Sequence, residues 1–163
     1  MKVKEMMTGD TVTCDLNASL AEAAAAMWEN DCGILPVSKD GEEIVGVITD
    51  RDICMGASMR DRSFSRISVE EIMTGALYST SPEEDVSRAL ELMREHKVRR
   101  LLVVDDGGQL KGMLSINDLT LRAEEPSGKK TSQLSFAQVM ETYKAVCEHQ
   151  RSREQPRTMT ANA

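Results

Sequence analysis

Aromatic residues are nearly missing from this chain: one Trp, two Tyr and two Phe make up 3% of its 163 residues. The core must therefore be filled by Ala, Val, Ile, Leu and eleven Met, a flexible aliphatic packing. Positive charge is also short, with 20 Lys and Arg against 27 Asp and Glu and a net charge of −7. That balance argues against general binding to nucleic acid or to an anionic membrane, since both need a basic surface. It leaves room for a small anion at a local basic cluster. No apolar run approaches the roughly 20 residues that cross a bilayer. The first ten residues lack the apolar stretch of a secretory signal, so a cytoplasmic protein is expected.

Histidine and cysteine are sparse as well. Cys14, Cys32, Cys54 and Cys147 show no CxxC or Cys/His spacing of a zinc site, and are expected to be buried, reduced thiols. A nucleophile needs a base, and the two histidines, His96 and His149, sit in charged helical contexts as solvated helix residues. There is neither a Walker-type nor a Rossmann glycine-rich loop. The expectation is a protein that is not an enzyme, with no catalytic residues, no metal ligands and no required cofactor.

What is present is a repeat. Residues 3–54 align with residues 69–120 at a constant offset of 66, without a gap. Val3, Glu5, Met7, Thr8 and Gly9 return as Val69, Glu71, Met73, Thr74 and Gly75. Leu35 and Val37 return as Leu101 and Val103, Asp40-Gly41 as Asp106-Gly107, Gly46 as Gly112 and Asp52 as Asp118. Each copy reads as a short strand (11–14 or 77–80), a helix, two β-rich runs and a closing helix. Ser19 with Glu22 three residues on has capping-box spacing. Leu20, Ala23, Ala24 and Met27, and then Val86, Ala89, Leu90 and Met93, form one apolar face each. The runs 34–38 and 44–49 are joined through Asp40-Gly41, a hairpin signal, and 101–104 and 110–115 through Asp106-Gly107. A unit of about 55 residues is too small to bury its own faces, so the two are expected to pack their sheets together.

The organisation expected is a first unit over 1–59, a polar linker over 60–67 with Phe64 pinned to the surface, and a second unit over 68–124. Residues 125–151 form a second linker and a C-terminal helix, and 152–163 a disordered tail. Ser135 is placed to cap that helix, in which Phe136, Val139, Met140, Tyr143, Val146 and Cys147 make an apolar stripe.

Met-Thr-Gly at the head of each copy, Gly33-Ile34-Leu35-Pro36-Val37 before the first hairpin and Gly46-Val47-Ile48-Thr49-Asp50-Arg51-Asp52-Ile53 after it resemble the CBS domain. Their tandem occurrence resembles a Bateman module. The run from Glu95 to Leu101 and the C-terminal helix add a similarity to bacterial stand-alone CBS proteins of the hypoxic-response type. The resemblance implies an α/β (α+β) protein: two βαββα CBS repeats packed as a pseudo-twofold disc with a cleft on either side, plus a C-terminal amphipathic helix. It also implies a homodimer through the outer helices and an adenosine ligand in the clefts, AMP, ADP, ATP or S-adenosylmethionine.

For the ligand site the resemblance points to Gly33, Ile34, Leu35 and Pro36 together with Thr49, Arg51 and Asp52, both motifs being complete in the first copy. The helix N-terminus would receive phosphate, Asp52 the ribose hydroxyls, and apolar residues beside Pro36 a purine. The second copy keeps Ser115 and Asp118 but has Arg99 where Gly33 aligns and Leu102 where Pro36 aligns. Arg99 and Arg100 either bind phosphate in the neighbouring cleft or pair with acids such as Asp105 and Glu95 on the surface. Thr49 with Asp52, and Ser115 with Asp118, also have the spacing of a helix cap, and spacing alone does not separate cap from ligand site.

The function expected is a regulatory module that binds an adenosine nucleotide and reports it to a dimer mate or to a protein partner whose identity the sequence does not give. The alternative is a ligand-free interaction module that docks through the C-terminal helix.

Overall fold

The computed structural model describes residues 1–124 and 134–148. In the first copy β1 (Cys14–Asp15) runs parallel to β2 (Ile34–Lys39), which pairs antiparallel with β3 (Glu43–Thr49). Helix α1 (Leu20–Glu29) links β1 to β2, and α2 (Asp50–Ser58) follows β3. The second copy repeats the pattern with β4 (Ser79–Thr80), α3 (Val86–His96), β5 (Arg100–Val104), β6 (Leu110–Ser115) and α4 (Ile116–Arg122). Helix α5 (Phe136–Cys147) closes the described chain, and the class is α+β as expected. Among the described residues no helix is long and apolar enough to cross a membrane.

Local chemistry accounts for these elements. The Glu22 N–H donates to Ser19 Oγ at 3.2 Å while the Ser19 N–H donates to the Glu22 carboxylate at 2.8 Å, the reciprocal box that starts α1. Asp85 caps α3 in one direction only, accepting from the Ser87 N–H at 2.9 Å. Asp40 and Gly41 both take positive φ, 54° and 77°, as the tight turn between β2 and β3 demands. The first and fourth strands are shorter than expected. Residues 11–13 and 77–78 do not pair as strand, Thr11, Val12 and Tyr78 instead lining the clefts described below, and only Cys14–Asp15 and Ser79–Thr80 reach the parallel register.

The two units are joined by an exchange of their leading segments. The Thr8 and Met113 backbones bond each other in both directions at 2.9 Å, and Val47 and Thr74 do the same at 3.0 and 2.9 Å. Thr74 is Thr8 shifted by +66 and Val47 is Met113 shifted by −66, so the link obeys the repeat's own twofold exchange. As a result Val3 and Met6 are buried in the core of the second copy with Leu90, Leu101 and Leu114, and Ile67 and Val69 in the core of the first with Leu20, Leu35 and Ile48. Full burial of such side chains contributes about 1.5–3 kcal/mol each, so neither unit's core is complete without the other's head. Gly46 and Gly112 permit this approach. A Cβ on Gly46 would stand 2.8 Å from the Thr74 carbonyl oxygen, and one on Gly112 would overlap the Thr8 carbonyl.

Several expectations change. Only Cys14 is buried, with its thiol pushed up to about 11 by desolvation and then by the Asp15 charge; Cys32 is half-buried, and Cys54 and Cys147 are exposed. Ile67, at the end of the expected polar linker, is fully buried, whereas Phe64 stays at the surface in a 3-10 turn, Phe64–Arg66. His96 is exposed at the end of α3, as expected of a solvated helix residue, and stacks on Tyr78 with ring centroids 4.4 Å apart; His149 and the expected tail lie outside the described residues. The α5 stripe divides. Val139 and Val146 pack inward along α3 and α4, while Phe136 and Met140 remain 49% and 65% exposed, because the helix lies in the seam of two helices and meets them on one side only.

Candidate functional site

Two clefts open where the ends of the two sheets face each other. The larger, about 600 Å³, is lined by Thr49, Arg51 and Asp52 at the start of α2 and by the run from Lys97 to Leu102 leading into β5, with Ile34, Val47, Thr74, Tyr78, Met113 and Val146. The smaller, about 380 Å³, is lined by Gly33 and Ile34, by Ser115, Asn117 and Asp118 at the start of α4, and by Thr8, Asp10 and Asp31. Ile34 and Arg100, which align at the offset of 66, face both clefts and so mark the pseudo-twofold axis.

This arrangement corrects the expected grouping. The two motifs of the first copy do not build one pocket: Gly33 lines the smaller cleft with Ser115 and Asp118 of the second copy, and Thr49, Arg51 and Asp52 line the larger with Arg99 and Arg100. Leu35 and Pro36 are buried within β2 and line neither. The physical reason is that Gly33 and Thr49 lie side by side where β2 begins and β3 ends, and the crossed-over leading segments set Thr8 and Ser115 beside the first and Thr74 and Arg99 beside the second. Each helix start therefore meets the strand start of the opposite copy. Gly33 has its own local duty, since a Cβ there would stand 2.9 Å from Asp50 Oδ2.

Both Thr/Ser-to-Asp pairs are helix caps. The Asp52 N–H donates to Thr49 Oγ1 at 3.1 Å, and Asp52 Oδ2 accepts from the Thr49 N–H at 3.0 Å and from its hydroxyl at 2.7 Å. Ser115 and Asp118 repeat the pattern at 3.2, 2.8 and 2.6 Å. The cap occupies one carboxylate oxygen only, and the two copies differ in the other. Asp118 Oδ1 accepts from the Thr8 hydroxyl at 3.2 Å, whereas Asp52 Oδ1 accepts no hydrogen bond among the described residues. The larger cleft thus holds a half-buried acceptor with lone pairs to spare.

The amides at the head of α2 are committed internally, against expectation. The Asp50 N–H donates to the Gly33 carbonyl at 3.2 Å, the Arg51 N–H to Asp50 Oδ1 at 2.7 Å and the Asp52 N–H to Thr49. Recognition of an anion there falls to side chains, and these are unequal between the clefts. At matched positions the larger carries Arg51, Ala76, Lys97 and Arg99 where the smaller carries Asn117, Asp10, Asp31 and Gly33. Four cations and Asp52 face the larger cleft; Arg100 and three carboxylates face the smaller. Among the described residues none of Arg51, Lys97, Arg99 and Arg100 forms an ion pair. The surface pairing open to Arg99 and Arg100 is not formed, since Asp105 takes Lys111 at 2.9 Å and its carboxyl is held below the usual range first by that bond. Val47, Leu102 and Met113 add apolar wall.

Lys97, Tyr78, Thr74 and Thr8 were absent from the expected ligand-site residues. The signal for Lys97 lay in the alignment of the copies, which sets it opposite Asp31. Among the described residues no three His, Cys, Asp or Glu side chains converge on a metal position.

Comparison with known proteins agrees with this architecture. The family model of the CBS domain matches twice, over residues 3–56 and 69–125. The chain is 31% identical over 139 residues to the CBS domain-containing protein YhcV of Bacillus subtilis, covering 84% of this chain and 97% of that one. Among solved structures, Hypoxic Response Protein I with two coordinated zinc ions superposes with a TM-score of 0.67 at 25% identity, covering 76% of this chain and all of the other. The CBS domain pair of protein MJ0100, in complex with 5′-methylthioadenosine and S-adenosyl-L-methionine, superposes with a TM-score of 0.66 at 25% identity over 74% of this chain and 94% of that one. With both repeats matched and the fold shared, this chain belongs to the CBS-domain family.

Proposed function

We propose that the protein is a regulatory module that binds an adenosine nucleotide in its larger cleft and passes occupancy on to a dimer mate or a protein partner. The observation that carries this reading is an Asp52 Oδ1 that accepts no hydrogen bond among the described residues, in a cleft whose four cations form no ion pair among them. A carboxylate oxygen with free lone pairs suits a ribose hydroxyl, the guanidinium groups of Arg51 and Arg100 suit phosphate, and the apolar wall suits a purine. Adenosine ligands in the MJ0100 domain pair support the ligand class. The smaller cleft, with Asp118 engaged and Asp10 and Asp31 beside it, is assigned no nucleotide. Calorimetric titration with AMP, ADP, ATP and S-adenosylmethionine tests this reading. It expects one saturable site for a phosphate-bearing ligand, and silence with all four would sink it.

Dimer formation is part of the proposal. Trp28 is 88% exposed and borders a hollow of about 600 Å³ with Met27, Ile53 and Phe64 on the outer side of α1 and α2, whose counterpart on α3 and α4 is covered by α5. A second copy would cover that apolar surface. Light scattering that returns the mass of a single chain at micromolar concentration would exclude it. A second reading, an interaction module that docks through α5, draws on the exposed Phe136, Met140 and Leu121.

A further inference from the structure

Helix α5 is fastened to the rim of the larger cleft by the same cations that face into it. The Lys97 ammonium donates to the Glu148 carbonyl at 3.0 Å, capping the carboxyl end of α5. The Arg99 guanidinium lies over the Tyr143 ring, 5.8 Å from its centre. Val146 lines the cleft itself. Further back, the Arg94 guanidinium donates to Thr142 Oγ1 at 2.9 Å, and Thr142 is fully buried. The helix is thus anchored at Thr142, and Lys97 and Arg99 reach its last turn and a half.

We infer that the carboxyl end of α5 and the phosphate of a bound nucleotide compete for Lys97 and Arg99, so that nucleotide binding releases the last turns of α5. The inference rests on the larger cleft being the nucleotide site. The negative end of a helix dipole is a weak anion, and a nucleotide phosphate is a strong one. A lysine that turns to phosphate leaves the Glu148 carbonyl at the end of α5 uncapped, and an arginine that turns inward leaves Tyr143. The signal read by a partner would be the freed segment from Tyr143 to Glu148, hinged at the Arg94–Thr142 contact. Linkage makes the effect reciprocal: whatever loosens α5 must tighten binding of phosphate-bearing ligands and leave adenosine unaffected.

The test is hydrogen exchange across residues 134–148 in the full chain, with saturating ADP or adenosine, together with affinities of both ligands for wild type and Tyr143→Ala. Exchange at the end of α5 is expected to rise with ADP and not with adenosine. Removal of the exposed ring should tighten ADP about 2- to 5-fold, the span of an exposed cation–π contact, without changing adenosine. ADP binding that leaves α5 exchange unchanged or lowers it, with Tyr143→Ala equal to wild type, overturns the inference and leaves the nucleotide site standing. Failure of ADP and adenosine alike to bind overturns both.

Discussion

The Thr8 hydroxyl donates to Asp118 Oδ1 at 3.2 Å, across the pseudo-twofold axis, while the matching Thr74 hydroxyl makes no such bond to Asp52. One threonine of the repeated Met-Thr-Gly is therefore a second partner for its acid, and the other leaves its acid open. The two clefts differ in ligand chemistry because of this pair and the charges around it.

Asp52→Ala is expected to weaken nucleotide binding by about 1–3 kcal/mol, the range for a hydrogen bond to a charged group. Asp118→Ala should cost much less. The ranking follows from the Asp52 oxygen that stays open, since Gly33 and Pro36 do not line the larger cleft. Equal losses by calorimetry would contradict it.

Phosphate should matter more than base. AMP is expected to bind more tightly than adenosine, with the difference shrinking as salt rises because Arg51 is exposed and Arg100 partly exposed. Replacing both by Ala should narrow the gap between AMP and adenosine and leave adenosine nearly unchanged. This comparison isolates the phosphate contact from any general loss of stability. If AMP and adenosine bind the wild type alike, the cations hold no phosphate.

Gly112→Ala and Gly46→Ala should each destabilise by roughly 1–3 kcal/mol, because the added Cβ meets backbone that cannot move without breaking the Thr8–Met113 or Val47–Thr74 pairing. Gly75→Ala is the control. Nothing lies within 4 Å of a Cβ there, so its change should stay within about 0.5 kcal/mol. Thermal melts that rank Gly75→Ala with the other two would refute the close approach as the cause.

Cys14 should resist alkylation in the native state while Cys54 reacts. With its thiol near 11, the thiolate fraction at pH 8 is about one in a thousand, and burial blocks access as well. The sign for stability follows from the same shift. The folded state holds the Cys14 proton more tightly than the unfolded chain, so this contribution is intact below the ordinary thiol value of 9.0 and is lost as pH rises from there towards 11. Cys14→Ser should flatten the alkaline limb of the stability curve, and an unchanged limb would show that another group sets it.

The amino-acid sequence by itself determined the repeat and most of the elements. Ser19 with Glu22, Asp40-Gly41 and the apolar faces headed by Leu20 and Val86 act through neighbours a few residues away, and local patterns carry such information without reference to the rest of the chain. It also determined which residues could serve a ligand, since Thr49, Asp52, Arg99 and Arg100 stand out by type and spacing. What only the tertiary structure decided is which of them meet. The heads of the two copies cross over, so each helix start faces the strand start of the opposite copy, separating Gly33 from Asp52 and joining Asp52 to Arg99 and Arg100. That crossing is fixed by backbone bonds between residues 27 and 105 positions apart, Val47 with Thr74 and Thr8 with Met113, and by glycines whose use is to lack a side chain. Neither a pairing at that distance nor the space beside a missing Cβ leaves a local pattern. Spacing could likewise offer cap and ligand site as alternatives for Asp52 but not show that one oxygen caps while the other stays open, because the two oxygens of one carboxylate are distinguished only by what the fold sets beside each.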